Sequence, residues 1–256
     1  MPAIHRAAAD GYTAKAGTYV AGRPDYPPEV VAWLRSDLGL GPGKVALDLG
    51  AGTGKFQPCL RATGARLIAV EPVPAMLAQL VARNADVEAH AGTAERIPLL
   101  DGSVDAVVCA QSFHWFANGG ALAEIRRVLK AGGALGLIWN VRDESVPWVA
   151  ALSAITTAYE GDAPRYYTGA WRRLFPADGF GPLHEQHFPN RHVGAPEKVI
   201  LDRTLSVSFI AALPADEQER VAAKVRALIA ASPALAGLDE VSFPYETRVF
   251  GCTKLS

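Results

Sequence analysis

The residues best spaced for chemistry lie in Asp48-Leu49-Gly50-Ala51-Gly52-Thr53-Gly54, where three alternating glycines follow the apolar run Val45 to Leu49 and precede a stretch of helical character. Glycines at alternate positions let the backbone turn sharply and approach a ligand with no Cβ in the way. A helix opening near Gly54 would offer its unpaired N–H groups to a carboxylate or phosphate. A loop of this kind at the end of a strand is where an open parallel sheet takes its ligand.

Two ligand classes use such a loop, and charge separates them. A dinucleotide brings an anionic pyrophosphate, whereas S-adenosylmethionine (SAM) brings a sulfonium, an ammonium and one carboxylate. Asp48 stands two residues before the first glycine, and Lys55 occupies the place where the dinucleotide fingerprint would end in a further glycine. Both details favour SAM over NAD. Glu71 closes the next apolar run, 23 positions after Asp48, where its carboxylate can accept both ribose hydroxyls of an adenosine. That contact serves either cofactor, so Glu71 marks an adenosine site without choosing its owner.

These residues need a scaffold, and the apolar runs supply one. Val45 to Leu49, Arg66 to Glu71, Val87 to Ala91, Val104 to Ala110 and Ala134 to Trp139 are too short for helices and apolar enough to be covered on both faces, which predicts buried parallel strands. Phe56 to Thr63, Pro74 to Ala85 and Gly119 to Leu129 are the crossover helices between them, the second placing Met76, Leu77, Leu80 and Val81 on one face. From Val141 to Phe180 the alternation stops and Trp148, Tyr159, Tyr166, Tyr167, Trp171 and Phe175 gather among prolines, the signature of an inserted cap. His184 to Phe188 and Tyr245 to Cys252 read as late strands and Asp216 to Ala231 as a helix. The expected fold is α/β: a Rossmann-like open sheet of about seven strands, mostly parallel with an antiparallel last strand, helices on both faces and a small helical cap. The expected organisation is one domain over 1–256, with an N-terminal lid over about 1–39, a cofactor core over about 40–140, a cap over about 141–181 and completion of the sheet over about 182–256.

Composition narrows the classes of function. A chain of 256 residues, half of them hydrophobic, can bury one substantial core. The formal net charge is −1 and the basic residues are scattered, so no footprint for nucleic acid appears. Three cysteines, Cys59, Cys109 and Cys252, are odd in number and lack metal-ligand spacing, which suits a reducing cytoplasm and predicts no structural metal. Neither a signal peptide nor a membrane-length apolar run is visible, and the expected location is cytoplasmic, with no membrane partner.

With these motifs in order, the chain resembles the class I SAM-dependent methyltransferases, in particular the small-molecule group called type 11. The resemblance spans Val45 to Phe56, Glu71 with Pro72 and the Pro74-Ala75-Met76-Leu77 helix start, the turn Gly92-Thr93-Ala94-Glu95-Arg96-Ile97-Pro98, the strand Asp101 to Val108 and the segment Val128 to Leu135. Thr93 departs from the Asp that many relatives place against the adenine amino group, and Ala131 replaces a proline before the paired glycines. Tyr19 to Pro28 and Gln111-Ser112-Phe113-His114-Trp115-Phe116 look like the trans-aconitate methyltransferase subset, whose acceptors are small carboxylates and natural products. The resemblance implies SAM as cofactor, S-adenosylhomocysteine as product, no metal, and a cofactor site formed by Asp48, Gly50, Ala51, Gly52, Thr53, Gly54, Glu71, Pro72, Met76, Thr93, Ala94, Glu95 and Gln111. It also implies a small-molecule methyl acceptor.

The methyl of a sulfonium is already activated, so transfer needs an acceptor lone pair held in line at about 3–3.5 Å. A hydroxyl acceptor would need a base, and a carboxylate acceptor only positive charge to hold it. His114, flanked by aromatic residues after the fourth strand, is the candidate catalytic residue as base or positioner, or else a wall residue. Tyr19, Arg23, His114, Trp115, Tyr166 and Trp171 are the candidate substrate-binding residues. Arg23 could hold a carboxylate bidentately, and Arg165, Arg172 and Arg173 could line an anionic pocket or solvate a cap edge. The expected function is methyl transfer from SAM to an oxygen of a small carboxylate or hydroxyl compound. A non-catalytic SAM-binding regulator is the alternative and an NAD(P)-dependent oxidoreductase a distant one, because fold by itself does not separate them.

Overall fold

A computed structural model describes residues 23–255. They form a seven-stranded sheet of order β3-β2-β1-β4-β5-β7-β6. Its strands are β1 (Val45–Leu49), β2 (Arg66–Glu71), β3 (Glu88–Ala91), β4 (Val104–Ala110), β5 (Leu129–Arg142), β6 (His184–Gly194) and β7 (Val241–Thr253). Pairs β1–β2, β1–β4, β2–β3 and β4–β5 are parallel, and the sheet is mixed through antiparallel pairing at its last strands. The expected Rossmann-like α/β sheet is therefore present.

Two compact units divide the described chain. The first comprises 26–140, 164–188 and 247–255, and the second 23–25, 141–163 and 189–246. The segment read as one cap, about 141–181, thus has residues in both.

In the first unit, sequence pattern and burial agree along β1, β2 and β4 but not along β3, which was expected to be covered on both faces and instead, as the edge strand, is exposed at Glu88 and Ala91 and only partly buried between them. β1, β2 and β4 are apolar at nearly every position and buried along nearly their whole length, as strands covered on both faces must be. Helix α1 (Glu29–Ser36) buries Val30, Trp33 and Leu34, one stripe at helical spacing. Trp33 comes so close to β5 that a Cβ at Gly136 would lie 2.5 Å from Leu38 Cδ1 and 3.0 Å from Trp33 Cη2. α2 (Gln57–Arg61) and α3 (Pro74–Arg83) begin with proline in the first turn, where a missing N–H costs nothing. α3 buries a narrower stripe than expected: Met76 and Leu80 are buried, but Val81 is 51% exposed. The 100° step per residue carries position 81 round to the rim. α4 (Gly119–Val128) is capped by Asn118, whose Oδ1 accepts the Ala121 N–H at 2.9 Å.

The late strands run longer than their apolar cores suggest. β6 is exposed along most of its length, whereas β7 alternates buried and partly exposed positions over most of its length. The second unit packs Trp148, Val149 and Leu152 of α5 (Pro147–Thr157), Val199 to Leu201 of a π-helical turn (Glu197–Asp202), and Val221, Ala222 and Val225 of α6 (Ala215–Ala231) with Phe243 and Tyr245. Trp148 and Phe243 lie 4.9 Å apart between ring centroids.

Candidate cofactor and acceptor site

The glycine loop leaves β1 at its C-terminal end and is tied to β2 by two backbone bonds, from the N–H groups of Gly50 (2.8 Å) and Ala51 (3.2 Å) to the carbonyl of Val70. Gly50, Gly52 and Gly54 all have positive φ, at 71°, 58° and 83°, a region where an L side chain is strained. Their surroundings differ. A Cβ at Gly50 would lie 2.7 Å from Ser112 Cβ, and one at Gly54 would lie 2.6 Å from Asn84 Nδ2. At Gly52 it would meet nothing closer than Met76 Sδ at 3.9 Å. Gly50 and Gly54 are thus required by the fold's own packing, while Gly52 faces a cradle bordered by Met76.

Two acids sit beneath this loop. Asp48 is only 1% exposed; one oxygen accepts Gln57 Nε2 at 2.7 Å and the other, Oδ1, has no hydrogen-bond partner. Burial, reinforced by the charge of Glu71, pushes the Asp48 carboxyl up to about 7 against the pull of the Gln57 bond. Glu71, 4% exposed, accepts the Gly52 N–H at 2.8 Å and the Val73 N–H at 2.9 Å. Burial raises its pKa and those two bonds lower it. Glu71 therefore is no solvated strand end: it stitches the glycine loop to the turn after β2. Cys109, also buried, has its thiol pushed well up by burial and by the Asp48 charge.

These features fit a ligand carrying positive charge and ribose hydroxyls. Two neighbouring buried carboxyls, one with an unpaired oxygen, disfavour each other's ionisation until a cation offsets them. Thr53 Oγ1 and Gln57 Oε1 are further buried oxygens with no hydrogen-bond partner. Among the described residues no group of three or more His, Cys, Asp and Glu side chains is placed to hold a metal ion.

The remaining expected cofactor residues lie in the same unit. Pro72 follows Glu71 directly, and Met76 borders the Gly52 cradle. The turn carrying Thr93, Ala94 and Glu95 follows β3, which pairs with β2 up to Glu71–Ala91. Glu95 Oε1 accepts Asn118 Nδ2 at 2.9 Å, and Glu124 Oε2 accepts the Ile97 N–H at 3.0 Å, so the turn is held from α4. Gln111 is the one non-glycine residue with positive φ among the described residues, at 60°. Its N–H donates to the Ile138 carbonyl at 2.8 Å, and Ser112 Oγ donates to the Leu49 carbonyl at 2.7 Å. This clamps the segment after β4 against the glycine loop.

The aromatic candidates gather beside that segment. His114 and Trp115 belong to the 3-10 turn Phe113–Trp115, with ring centroids 5.2 Å apart. Trp139 of β5 donates its indole N–H to His114 Nδ1 at 3.1 Å. Tyr166 lies 5.1 Å from Trp139 between centroids. Trp171, 2% exposed, packs 4.5 Å from Trp139 and donates its own N–H to the Tyr166 carbonyl at 3.1 Å, so it stands behind Tyr166 as support. Arg23 belongs to the second unit and donates to the Ser206 carbonyl at 3.3 Å. Arg172 pairs with Glu185 at 2.8 Å and lies over the Phe250 ring. Tyr19 lies outside the described residues. Sequence reasoning missed Gln57, Ser112, Asn118 and Trp139 as partners of the candidate residues, since each acts through a contact distant in sequence.

The parallel sheet, its glycine loop over two buried acids and the acid-ended second strand define a nucleoside-binding α/β enzyme fold. Comparison with known proteins narrows it. Residues 47–137 match the family described as Methyltransf_11, a methyltransferase domain. Over 239 residues the chain is 41% identical to a methyltransferase-like protein of Schizosaccharomyces pombe, covering 92% of each. It is 39% identical over 231 residues to an uncharacterized methyltransferase of Mycobacterium tuberculosis, covering 90% of each. A shorter match, 32% identity over 51% of each chain, reaches a malonyl-acyl-carrier-protein O-methyltransferase of Serratia marcescens. Among solved structures, the YcgJ protein of Bacillus subtilis superposes with a TM-score of 0.59 at 18% identity, covering 89% of this chain and 99% of that one. The cyclase SpnF does so with a TM-score of 0.60 at 15% identity, covering 97% and 96%, so the architecture by itself does not fix the reaction. The full-length relatives do: the chain belongs to the class I SAM-dependent methyltransferases and is a methyltransferase. The oxidoreductase alternative falls away. No helix among the described residues is long and apolar enough to cross a membrane.

Proposed function

We propose that this enzyme methylates an oxygen of a small molecule bearing a carboxylate or hydroxyl, with its cofactor held by the glycine loop and Glu71. The observation that carries the cofactor assignment is the buried pair Asp48 and Glu71 beneath the Gly52 cradle. SAM, when bound, supplies a methyl group already activated by its sulfonium. Glu71 presents carboxylate oxygens to the ribose hydroxyls, Asp48 contributes negative charge near the cationic end, and the Thr93-Ala94-Glu95 turn borders the adenine, with Thr93 in place of an acidic partner. The N–H groups of Gly50, Ala51, Gly52 and Gly54 already bond within the protein, so the loop would meet the cofactor through its lack of Cβ atoms rather than through those donors. His114, Trp115 and Tyr166 form the wall that an acceptor would meet, with Trp171 behind them. Arg23 and Tyr19 belong to a proposed N-terminal lid, and residues 141–181 to a proposed cap.

An oxygen acceptor is supported by the Serratia relative, whose name is that of an O-methyltransferase, and a small acceptor by the scattered charge, which offers no nucleic-acid track. The residue pattern of 19–28 and 111–116 supports kinship with the trans-aconitate subset. The proposed reaction needs no metal. The test is a screen of pooled carboxylate and alcohol metabolites with radiolabelled SAM, with and without chelator. Label appearing in a base-labile methyl ester or an ether, unchanged by chelator, is the expected result. Label confined to nitrogen or carbon, or lost with chelator, overturns the reading.

A further inference from the structure

We propose that Asp48 keeps a proton in the free enzyme and surrenders it when the cofactor's cationic end arrives, and that Gln57 is the positioning residue that sets how tightly this proton is held. The inference rests on the cofactor reading above and adds to it a proton exchanged for the cofactor.

Donors and acceptors can be counted at the pair. Gln57, wholly buried at the start of α2, donates its side-chain Nε2 to Asp48 Oδ2 at 2.7 Å. The other oxygen of each partner, Asp48 Oδ1 and Gln57 Oε1, is buried with no hydrogen-bond partner. An ionised Asp48 leaves the pair with two buried acceptors that lack a donor, which is costly. A protonated carboxyl carries an O–H donor that a carboxylate does not have. One hydrogen on Asp48 therefore supplies what the pair is short of.

The neighbouring groups decide which acid holds the proton. On β2, Glu71 uses both oxygens as acceptors, Oε2 from the Gly52 N–H at 2.8 Å and Oε1 from the Val73 N–H at 2.9 Å, and such bonds favour a carboxylate. Its charge disfavours a second carboxylate at Asp48. On β4, Cys109 is buried with its thiol pushed well up, so it stays neutral. After β4, Ser112 spends its hydroxyl hydrogen on the Leu49 carbonyl at 2.7 Å. Asp48 is thus the member of the acid pair that keeps a proton: burial first, and then the Glu71 charge, carry its pKa to about 7 against the pull of the Gln57 bond.

A cation beside Asp48 reverses the balance and favours the carboxylate. The O–H bond breaks, its electron pair stays on the oxygen and the proton leaves to solvent, while Gln57 Nε2 remains as the donor that steadies the carboxylate. Cofactor affinity should therefore rise with pH until the free enzyme has lost this proton unaided, and level off above about 7.

The experiment is calorimetric titration with SAM, without a methyl acceptor, at pH 6 and pH 8, each in phosphate and in an amine buffer of different protonation enthalpy. The dependence of the heat on buffer counts the protons released. Wild type should release most of a proton at pH 6 and little at pH 8, and should bind SAM about tenfold more weakly at pH 6. Asp48→Asn should bind more weakly and release none. Gln57→Leu removes the bond that favours the carboxylate, so it should bind SAM more weakly and release a proton at pH 8 as well. Infrared spectra at pH 6 need no variant to bind: free wild type should show a protonated-carboxyl band that is missing from free Asp48→Asn and is lost when wild type takes up SAM. Heats independent of buffer at pH 6, as an already ionised Asp48 would give, or no such band in free wild type, overturn the proposal and leave the cofactor site standing. Weaker binding by Gln57→Leu with the wild-type pattern of proton release overturns the role of Gln57. No SAM binding by wild type at either pH overturns the cofactor site and the proposal together.

Discussion

Gln57 reaches back across the glycine loop to donate its side-chain amide to Asp48 at 2.7 Å, and this one bond holds a carboxyl that is otherwise buried without compensation. The second oxygen of Asp48 has no partner, and its pKa is pushed from 3.8 to about 7. The enzyme thus keeps an acid whose ionisation is costly in the free protein and favourable once a cation arrives.

A pH dependence follows. Because the folded carboxyl keeps its proton up to about 7 while the unfolded chain releases it near 3.8, the native state binds more protons between these values. Its stability from this group is fully present below about 4 and is lost as pH rises through about 7. Asp48→Asn should therefore leave stability nearly unchanged at pH 4 and raise it over wild type at pH 8, by a few kcal/mol at most, since each pKa unit is worth about 1.4 kcal/mol. Denaturant unfolding of both proteins at pH 4, 6 and 8 checks this; parallel curves would refute the assignment. SAM affinity should fall in the same variant.

Glu71 accepts two loop N–H groups and is proposed to hold the ribose as well, and its variants should separate the two roles. Glu71→Ala should weaken S-adenosylhomocysteine binding about ten- to a hundredfold, as expected for lost hydrogen bonds to a charged group. It should also destabilise the free protein by about 1–3 kcal/mol, since the N–H groups of Gly52 and Val73 lose their acceptor. Glu71→Gln keeps one acceptor oxygen and should fall between. Calorimetry for binding and thermal unfolding for stability read the two effects; equal affinities across the series would displace the adenosine from this site.

The three loop glycines should not behave alike. Gly50→Ala places a Cβ against Ser112 and should destabilise the fold by more than the roughly 1–2 kcal/mol of the left-handed conformation itself. Gly52→Ala meets only the Met76 side chain at 3.9 Å, and should cost about that conformational strain while greatly weakening cofactor binding. Gly52→Val should abolish binding in a protein that still folds. A folded Gly52→Val enzyme with unchanged SAM affinity would contradict the loop's role.

Asn118 links the start of α4 to the turn proposed to border the adenine, capping Ala121 while donating to Glu95. Asn118→Ala should cost about 1 kcal/mol through the lost cap, and Asn118→Asp should keep the cap yet repel Glu95. If the Thr93 to Glu95 turn borders the adenine, Asn118→Asp should bind S-adenosylhomocysteine more weakly than its stability alone would suggest. Fluorescence-monitored binding beside denaturant unfolding would show whether the two effects part.

The first half of this protein was legible in its sequence because its information is local. Buried parallel strands must be apolar at nearly every position, so β1, β2 and β4 announce themselves with their boundaries. The glycines of the loop betray a backbone no other residue adopts easily, and Asp48 and Glu71 are acids placed where apolar runs end. β5, β6 and β7 ran longer than expected, since strand ends are set by partners on neighbouring strands, which a single apolar run does not reveal. Tertiary structure alone decided that Asp48 is paired by Gln57, that Glu71 bonds the loop it was expected only to flank, and that Trp139 faces His114 across 25 positions of sequence. Each is a directional hydrogen bond between buried groups, and its existence depends on where two elements are packed, which no residue's own type or spacing encodes.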